Sequence, residues 1–400
     1  MTTNNLSKPI PLLLEAIEIP DSAYEKAEAR YRDIGEWFCR WESPCRKYNP
    51  SIFLQGSFLL GTVTRPSNVN GEFDLDLAVE LQRGISKSSH TQKELKTLIG
   101  DELVAYRKVR QIKQLLSEKR RCWRLLYKDQ MSFHIDALPC IPEDEQRRGM
   151  IKEAMMARNA DEVLADKVAR LTVSITDRER PDYATHCYNW DVSNPQGYGV
   201  WFASRARLAK ETVHNRFQTG KWASIEAIPA YILKAPLQHC VQLLKVHRDF
   251  MFKHDPDRQP ISIIITTLAA RAYRGQEDVT QALFHILDNM DRYVHNGTPR
   301  VPNPVNPAED FADKWDSPEG RKLGLQDNFY LWLTQAKRDF SRLARTRDAD
   351  GLAKLAEASL GISRDRMHVR GRLGGSAASV GTPAVTTQRI ENPPKPWASR

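Results

Sequence analysis

The stretch LQGSFLLGTVTRPSNVNGEFDLDLAVEL, residues 54–81, decides how this chain is read. It joins a tight Gly-Ser turn, through a hydrophilic bridge, to a segment that alternates apolar and polar residues. That segment, FDLDLAVEL at 73–81, has the period of two expected of a half-buried strand. Residues i and i+2 of a strand share a face, so Asp74 and Asp76 project together while Phe73, Leu75 and Leu77 turn to the core. Desolvating a carboxylate without a partner is costly, and two this close repel unless a cation sits between them. Magnesium, a hard ion that favours carboxylate and phosphate oxygens, suits the pair.

Working outward, SIFLQ at 51–55 reads as a short strand, and FLLGT after the turn as a helical turn or loop. CWRLLY (122–127) and MSFHIDAL (131–138) read as two further strands, closed by Pro139 and Pro142. In the second of these, Asp136 alternates with Phe133, Ile135 and Ala137 and so faces away from the apolar side. If the strands are neighbours, three carboxylates meet on one surface, which is the requirement of a two-metal phosphoryl-transfer site. Opposite the metals such a site needs phosphate contacts. Gly56 lets backbone approach a phosphate closely, Ser57 adds a hydroxyl donor, and a following helical turn would add a favourable field. Gly61-Thr62 supplies a second flexible edge. His134 shares the face of Asp136 and is read as a hydrogen-bonded structural histidine, because the metal here wants oxygen.

Composition narrows the class. The chain has 400 residues, 41% of them hydrophobic, enough for two packed lobes and a tail. No apolar run approaches the roughly 18 residues of a membrane span, and the start lacks the basic region and cleavage site of a signal peptide. Six cysteines, none in a CxxC pair, argue against zinc or a disulfide framework and fit a reducing cytoplasm. The formal charge of +9 is compatible with a polyanionic ligand. The basic cluster Lys119, Arg120, Arg121, Arg124 and Lys128 is read as a solvated hairpin or helix end.

Residues 21 to about 48 and 91–120 have helical periodicity, with Asp21 or Ser22 as a cap for the first. Beyond about 194 the character becomes helical, in segments containing GYGVWFASR, LQHCVQLLKVHRDFMF, SIIITTLAARAY, DVTQALFHILDNM and NFYLWLTQAKRDF. Residues 301–307 (VPNPVNP) read as a proline-punctuated loop, and Trp201 and Phe202 as packing residues. From 364 the chain turns Gly/Ser/Ala/Thr-rich and reads as a flexible tail. The expected division is 1–200 catalytic core, 201–363 helical lobe and 364–400 tail.

The ordered set Gly56-Ser57, Gly61-Thr62, Asp74-x-Asp76 and Asp136 resembles the polymerase-β-type nucleotidyltransferases. The stretches NPQGYGVWFASR, LQHCVQLLKVHRDFMF and PISIIITTLAARAY look like the bacterial CD-NTases, relatives of cyclic GMP-AMP synthase, and the resemblance runs from about 23 to 344. It implies an α+β fold: a palm core with a mixed or antiparallel sheet, plus a C-terminal helical lobe. It also implies an enzyme that uses two Mg2+ ions to condense NTPs into a cyclic di- or trinucleotide, adenine-containing, as a second messenger of CBASS antiphage defence. Asp74, Asp76 and Asp136 would be the catalytic metal ligands, with Asp136 orienting or deprotonating the attacking ribose hydroxyl. Gly56 and Ser57 would hold the donor triphosphate, and Lys245 and Ser262 its distal phosphates. ATP is the expected NTP, with GTP or another as alternatives. The resemblance further implies a cytoplasmic protein with no membrane and no obligatory nucleic-acid template, and an accessory protein acting on the tail or gating activity. The bland readings are a surface lysine at Lys245 and a helix cap at Ser262. Two rivals stand beside this reading: a templateless RNA nucleotidyltransferase of the poly(A)- or CCA-adding type, and a catalytically inactive binding protein on the same fold.

Overall fold

The computed structural model describes residues 9–66, 71–128, 132–207 and 234–367. The chain opens with helices α1 (Pro9–Ile17) and α2 (Asp21–Cys39), followed by strand β1 (Pro50–Leu54), the five-residue helix α3 (Gly56–Leu60) and strand β2 (Phe73–Leu81). Helix α4 (Gln92–Val109) leads to strands β3 (Ser117–Glu118), β4 (Trp123–Tyr127) and β5 (Phe133–Pro142). After α5 (Glu145–Met156) and α6 (Glu162–Arg170), strands β6 (Val173–Ile175) and β7 (Asp191–Ser193) complete one seven-stranded sheet. The strand order is β1-β2-β5-β4-β3, with β6 continuing from β5 to β7. Only β2 and β5 run parallel; every other pair is antiparallel, so the sheet is mixed.

The remainder is helical: α7 (Pro195–Ala206), α8 (Pro236–Met251), α9 (Ser262–Ala272), α10 (Val279–Asn289), α11 (Pro318–Leu323), α12 (Leu325–Arg345) and α13 (Ala349–Leu360). A two-stranded piece, β8 (Pro302–Asn303) and β9 (Asn306–Asp310), interrupts them. The α+β class with a helical C-terminal part is therefore observed.

Two large apolar clusters, with a small one around Phe53, Leu138 and Ile175, hold the described residues together. One packs α2 and α4 on the sheet face formed by Phe73, Leu75, Leu77, Phe133, Ile135 and Ala137. The other joins α7–α10, α12 and α13 with α5, α6 and the first helix, whose Ile10, Leu13 and Ile17 are buried among them. The amino terminus thus packs with the helical cluster. Trp201 and Phe202 lie in this second cluster, as packing residues should. All six cysteines are free, and among the described residues no helix is long and apolar enough to cross a membrane.

Several boundaries differ from the sequence reading, each for a local reason. Helix α4 ends at Val109 instead of continuing to 120. Its apolar row Leu95, Ile99, Leu103 and Tyr106 is spent by then, Arg110 turns out to pair with Asp33, and Gln111 adopts a left-handed φ of 53°. The first long helix stops at Cys39, Asp21 is its first residue, and its cap position is Pro20. Strand β5 runs through Pro139 to Pro142. Pro139 stands where the strand exchanges β4, paired up to Ala137, for β6, paired from Cys140; a residue without an N–H is tolerated at such a break in the ladder. Residues 301–307 contain a strand pair instead of a plain loop. Of the expected tail, 364–400, residues 364–367 are described and pack on the helical cluster through the buried Met367, while 368–400 lie outside the described residues.

Candidate active site

The parallel register of β2 and β5 sets Asp76 directly beside Asp136 and Asp74 beside His134. Their neighbours Phe73, Leu75, Leu77, Phe133, Ile135 and Ala137 are buried on the opposite face. The three carboxylates anticipated from the sequence are thus brought together on one surface. Asp74, with 69% of its side chain exposed, forms the outer edge, while Asp76 is half-buried. Burial first, then repulsion from Asp136 and Asp74, raises the Asp76 carboxyl to about 6, against the pull of Arg124 and Lys245.

The Gly-Ser turn is built against Asp76. The Gln55 N–H donates to the Asp76 carbonyl at 2.8 Å. Gly56 has a φ of +58°, and a Cβ there would lie 2.3 Å from Asp76 Oδ2. Both facts demand glycine: the left-handed backbone and the carboxylate leave no room for a side chain. Helix α3 is only five residues long, too short for a substantial macrodipole, so anion contacts here would come from individual N–H groups and the half-buried Ser57 hydroxyl. Gly61 closes the helix with a φ of +65°, and the Thr62 N–H returns to the Ser57 carbonyl at 2.9 Å.

Helix α8 reaches this turn from the other cluster. Gln238 donates to the Leu60 carbonyl (2.9 Å), Gln242 to that of Val63 (2.7 Å), and Lys245 Nζ to that of Thr62 (3.0 Å). Residues 238, 242 and 245 form one stripe of the helix. Burial, then Arg248, pushes the Lys245 ammonium down to about 8, and Asp76 and Asp74 are among the charges that oppose this. Ser262 is the first residue of α9 and not its cap, which is Ile261. Its hydroxyl accepts from Arg248 Nη1 at 2.8 Å. Arg248, one turn beyond Lys245, is buried, also donates to the Pro260 carbonyl at 3.0 Å, and repels the Lys245 ammonium.

The sequence reading missed two residues. Arg248 follows Lys245 by one helical turn, a spacing that was available. Arg124 does not belong to the solvated basic cluster expected from the sequence. The β4–β5 register sets it opposite Asp136, and its fork takes both carboxylate oxygens, each at 2.7 Å. Arg120 and Arg121 do lie at the surface, paired with Asp177. His134 contacts two carboxylates at the edge of the site, with Nε2 against Glu72 and Nδ1 3.3 Å from Asp74 Oδ1. Cys122 is also close, its thiol pushed up to about 12 by burial and then by Asp136.

Hard oxygen donors are the right chemistry for Mg2+. Among the described residues, no three His, Cys, Asp or Glu side chains already stand in an ion-holding arrangement, and Arg124 occupies both oxygens of Asp136. The donor set therefore fits a divalent ion once the guanidinium yields.

Sheet, strand pair and helical part together define a nucleotidyltransferase. Residues 50–140 match the family model described as cyclic GMP-AMP synthase DncV-like, nucleotidyltransferase domain. A c-di-GMP synthase of Roseivirga ehrenbergii is 27% identical over 355 residues, covering 87% of this chain and 82% of that protein. The cyclic dinucleotide synthase CdnG of Bradyrhizobium diazoefficiens is 23% identical over 88% of this chain and 79% of its own length. The structure of that CdnG in complex with GTP shares the fold, with a TM-score of 0.60 and 18% identity, covering 88% of this chain and 95% of the other. Residues 50–140 thus carry a DncV-like nucleotidyltransferase domain, and most of the chain is similar to these cyclic dinucleotide synthases.

Proposed function

We propose that this enzyme condenses NTPs into a cyclic purine dinucleotide, with Asp74, Asp76 and Asp136 as the catalytic carboxylates. The observation that carries the reading is the β2–β5 register, which sets Asp76 beside Asp136 and Asp74 one strand repeat away, against the Gly56 backbone. The names of the two relatives, c-di-GMP synthase and cyclic dinucleotide synthase, favour a dinucleotide with GTP as a substrate. ATP and the adenine-containing ring expected from the sequence are the alternative measured in the same assay.

Asp74, Asp76 and Asp136 would hold Mg2+, two ions in the full reading, which when bound lowers the pKa of the attacking hydroxyl and neutralises the leaving pyrophosphate. The Gly56 backbone, free of a side chain that would collide with Asp76, would present its N–H to a phosphate, and the Ser57 hydroxyl would donate to the same oxygens. Lys245, held at the Thr62 carbonyl, offers an ammonium to the distal phosphates; Ser262 would act at one remove, through Arg248. Asp136 orients the ribose hydroxyl and accepts its proton on a carboxylate oxygen released by Arg124. A cytoplasmic role in antiphage signalling and an accessory partner belong to the same proposal.

Mass spectrometry of products from mixed NTPs with Mg2+ tests it. A cyclic dinucleotide that disappears in Asp74→Asn/Asp76→Asn is the expected result. Extension of added RNA instead would establish the tailing rival, and no product under any condition would favour the inactive binding protein.

A further inference from the structure

A second cavity, sharing no residue with the carboxylate site, opens between α5, α6, the end of α7, the end of α9 and the β8–β9 pair, with a volume of about 790 Å3. That is within the range of small-molecule sites, roughly 300–1,000 Å3. Four guanidinium groups line it: Arg158, Arg205, Arg271 and Arg274, with His295 beside them. Among the described residues no ion pair joins any of the four to a carboxylate, whereas Arg120 and Arg121 are both paired with Asp177. The one acid in the lining, Asp161, is engaged as the cap of α6 through the Leu164 N–H.

The arginines are held in place by neutral groups. Arg205 donates to the Ala270 and Tyr273 carbonyls at 2.9 and 2.8 Å, and Arg271 to the Pro302 carbonyl at 2.7 Å. Arg274 donates to the Tyr293 hydroxyl at 2.5 Å. The exposed Arg158 side chain has no hydrogen-bond or ion-pair partner among the described residues. Burial and then mutual repulsion act against the charged forms: Arg271 is pulled down by burial and Arg158, Arg205 by burial and Arg274. Concentrated positive charge without a counter-ion is unfavourable in a partly enclosed space. An anion with several acceptor oxygens would relieve it, and planar forks suit phosphate. The rest of the wall is apolar, from Met155, Leu164, Trp201 and Pro307, and accommodates an organic body instead of a bare ion.

We propose that this cavity is a binding site for a nucleotide-sized small molecule carrying two or more phosphate groups, separate from the site of nucleotidyl transfer. The phosphates sit on the guanidinium cluster and the base or sugar lies along the apolar wall. The inference does not depend on which cyclic product the enzyme makes.

Adenosine 3′,5′-bisphosphate is a suitable probe, since it has no triphosphate and cannot act as a nucleotidyl donor. Isothermal titration into the full chain, in EDTA, is expected to show one site. Arg158→Ala and Arg274→Ala should each weaken it about tenfold, the worth of one charge-assisted contact, while Asp76→Asn and Lys245→Ala leave it unchanged. Arg158 has no described partner, so its variant keeps the test readable if Arg274→Ala lowers the Tm. Three results overturn the proposal: no binding up to about 1 mM; binding lost in Lys245→Ala and kept in Arg158→Ala/Arg274→Ala; or arginine-dependent binding of citrate with none of the bisphosphate, which would make the ligand a polycarboxylate.

Discussion

Asp76 sits between two other carboxylates on a strand whose opposite face is core, and its carboxyl is raised from 3.8 to about 6. The folded, metal-free protein therefore holds this proton more tightly than the unfolded chain does. The corresponding stability is fully present below about 3.8 and is lost as the pH rises through about 6. At neutral pH Asp76→Asn removes that penalty, so urea denaturation in EDTA should show a variant more stable by about 3 kcal/mol, although turnover is gone. Lys245 titrates in the opposite sense. Its ammonium is lowered from 10.5 to about 8, so its charge, and the cost of burying it, are present below about 8 and fade above. If it binds the distal phosphates, the KM for NTP climbs as the pH passes about 8, and Lys245→Arg flattens that profile because a guanidinium does not titrate there. A KM that stays level in the wild type would remove Lys245 from the phosphate site.

The turn joining β1 to β2 is where an element decides function. Gly56 combines a φ of +58° with a backbone pressed onto Asp76 Oδ2. Gly56→Ala therefore incurs roughly 1–2 kcal/mol of left-handed strain and displaces the carboxylate. A Tm several degrees lower and at least a tenfold loss of kcat are expected from thermal scans and steady-state rates; an alanine variant with full activity would show that the close approach is dispensable. The alternation of FDLDLAVEL and FHIDAL made both strands and the facing of their aspartates legible, because the period of two is imposed locally by the pleat. The role of Arg124 was not legible. Its partner Asp136 is twelve residues on, and only the β4–β5 register sets them opposite. The end of α4 was missed because charged residues continue its helical pattern beyond the last core contact.

At the scale of the whole molecule, the two apolar clusters meet at the carboxylate site through one stripe of α8. Gln238, Gln242 and Lys245 each donate to a carbonyl between Leu60 and Val63, and Lys234 pairs with Glu18 next to them. Gln242 is fully buried, so Gln242→Leu leaves the Val63 carbonyl without its donor at a cost of roughly 1–3 kcal/mol. Because Val63 directly follows the Gly61-Thr62 edge, the same change should raise the KM for NTP; a lower Tm with an unaltered KM would mean the contact is only structural.

The sequence by itself determined the carboxylate strands, the turn that needs glycine and the helical character of the second half, since each rests on neighbours a few residues away. Tertiary structure alone decided that Arg124 grips Asp136, that Arg248 holds the Ser262 hydroxyl, that α1 packs with the helices, and that four arginines converge on one cavity. The physical reason is the same throughout: strand register and helix packing bring together groups far apart in the chain, and no local periodicity encodes that distance.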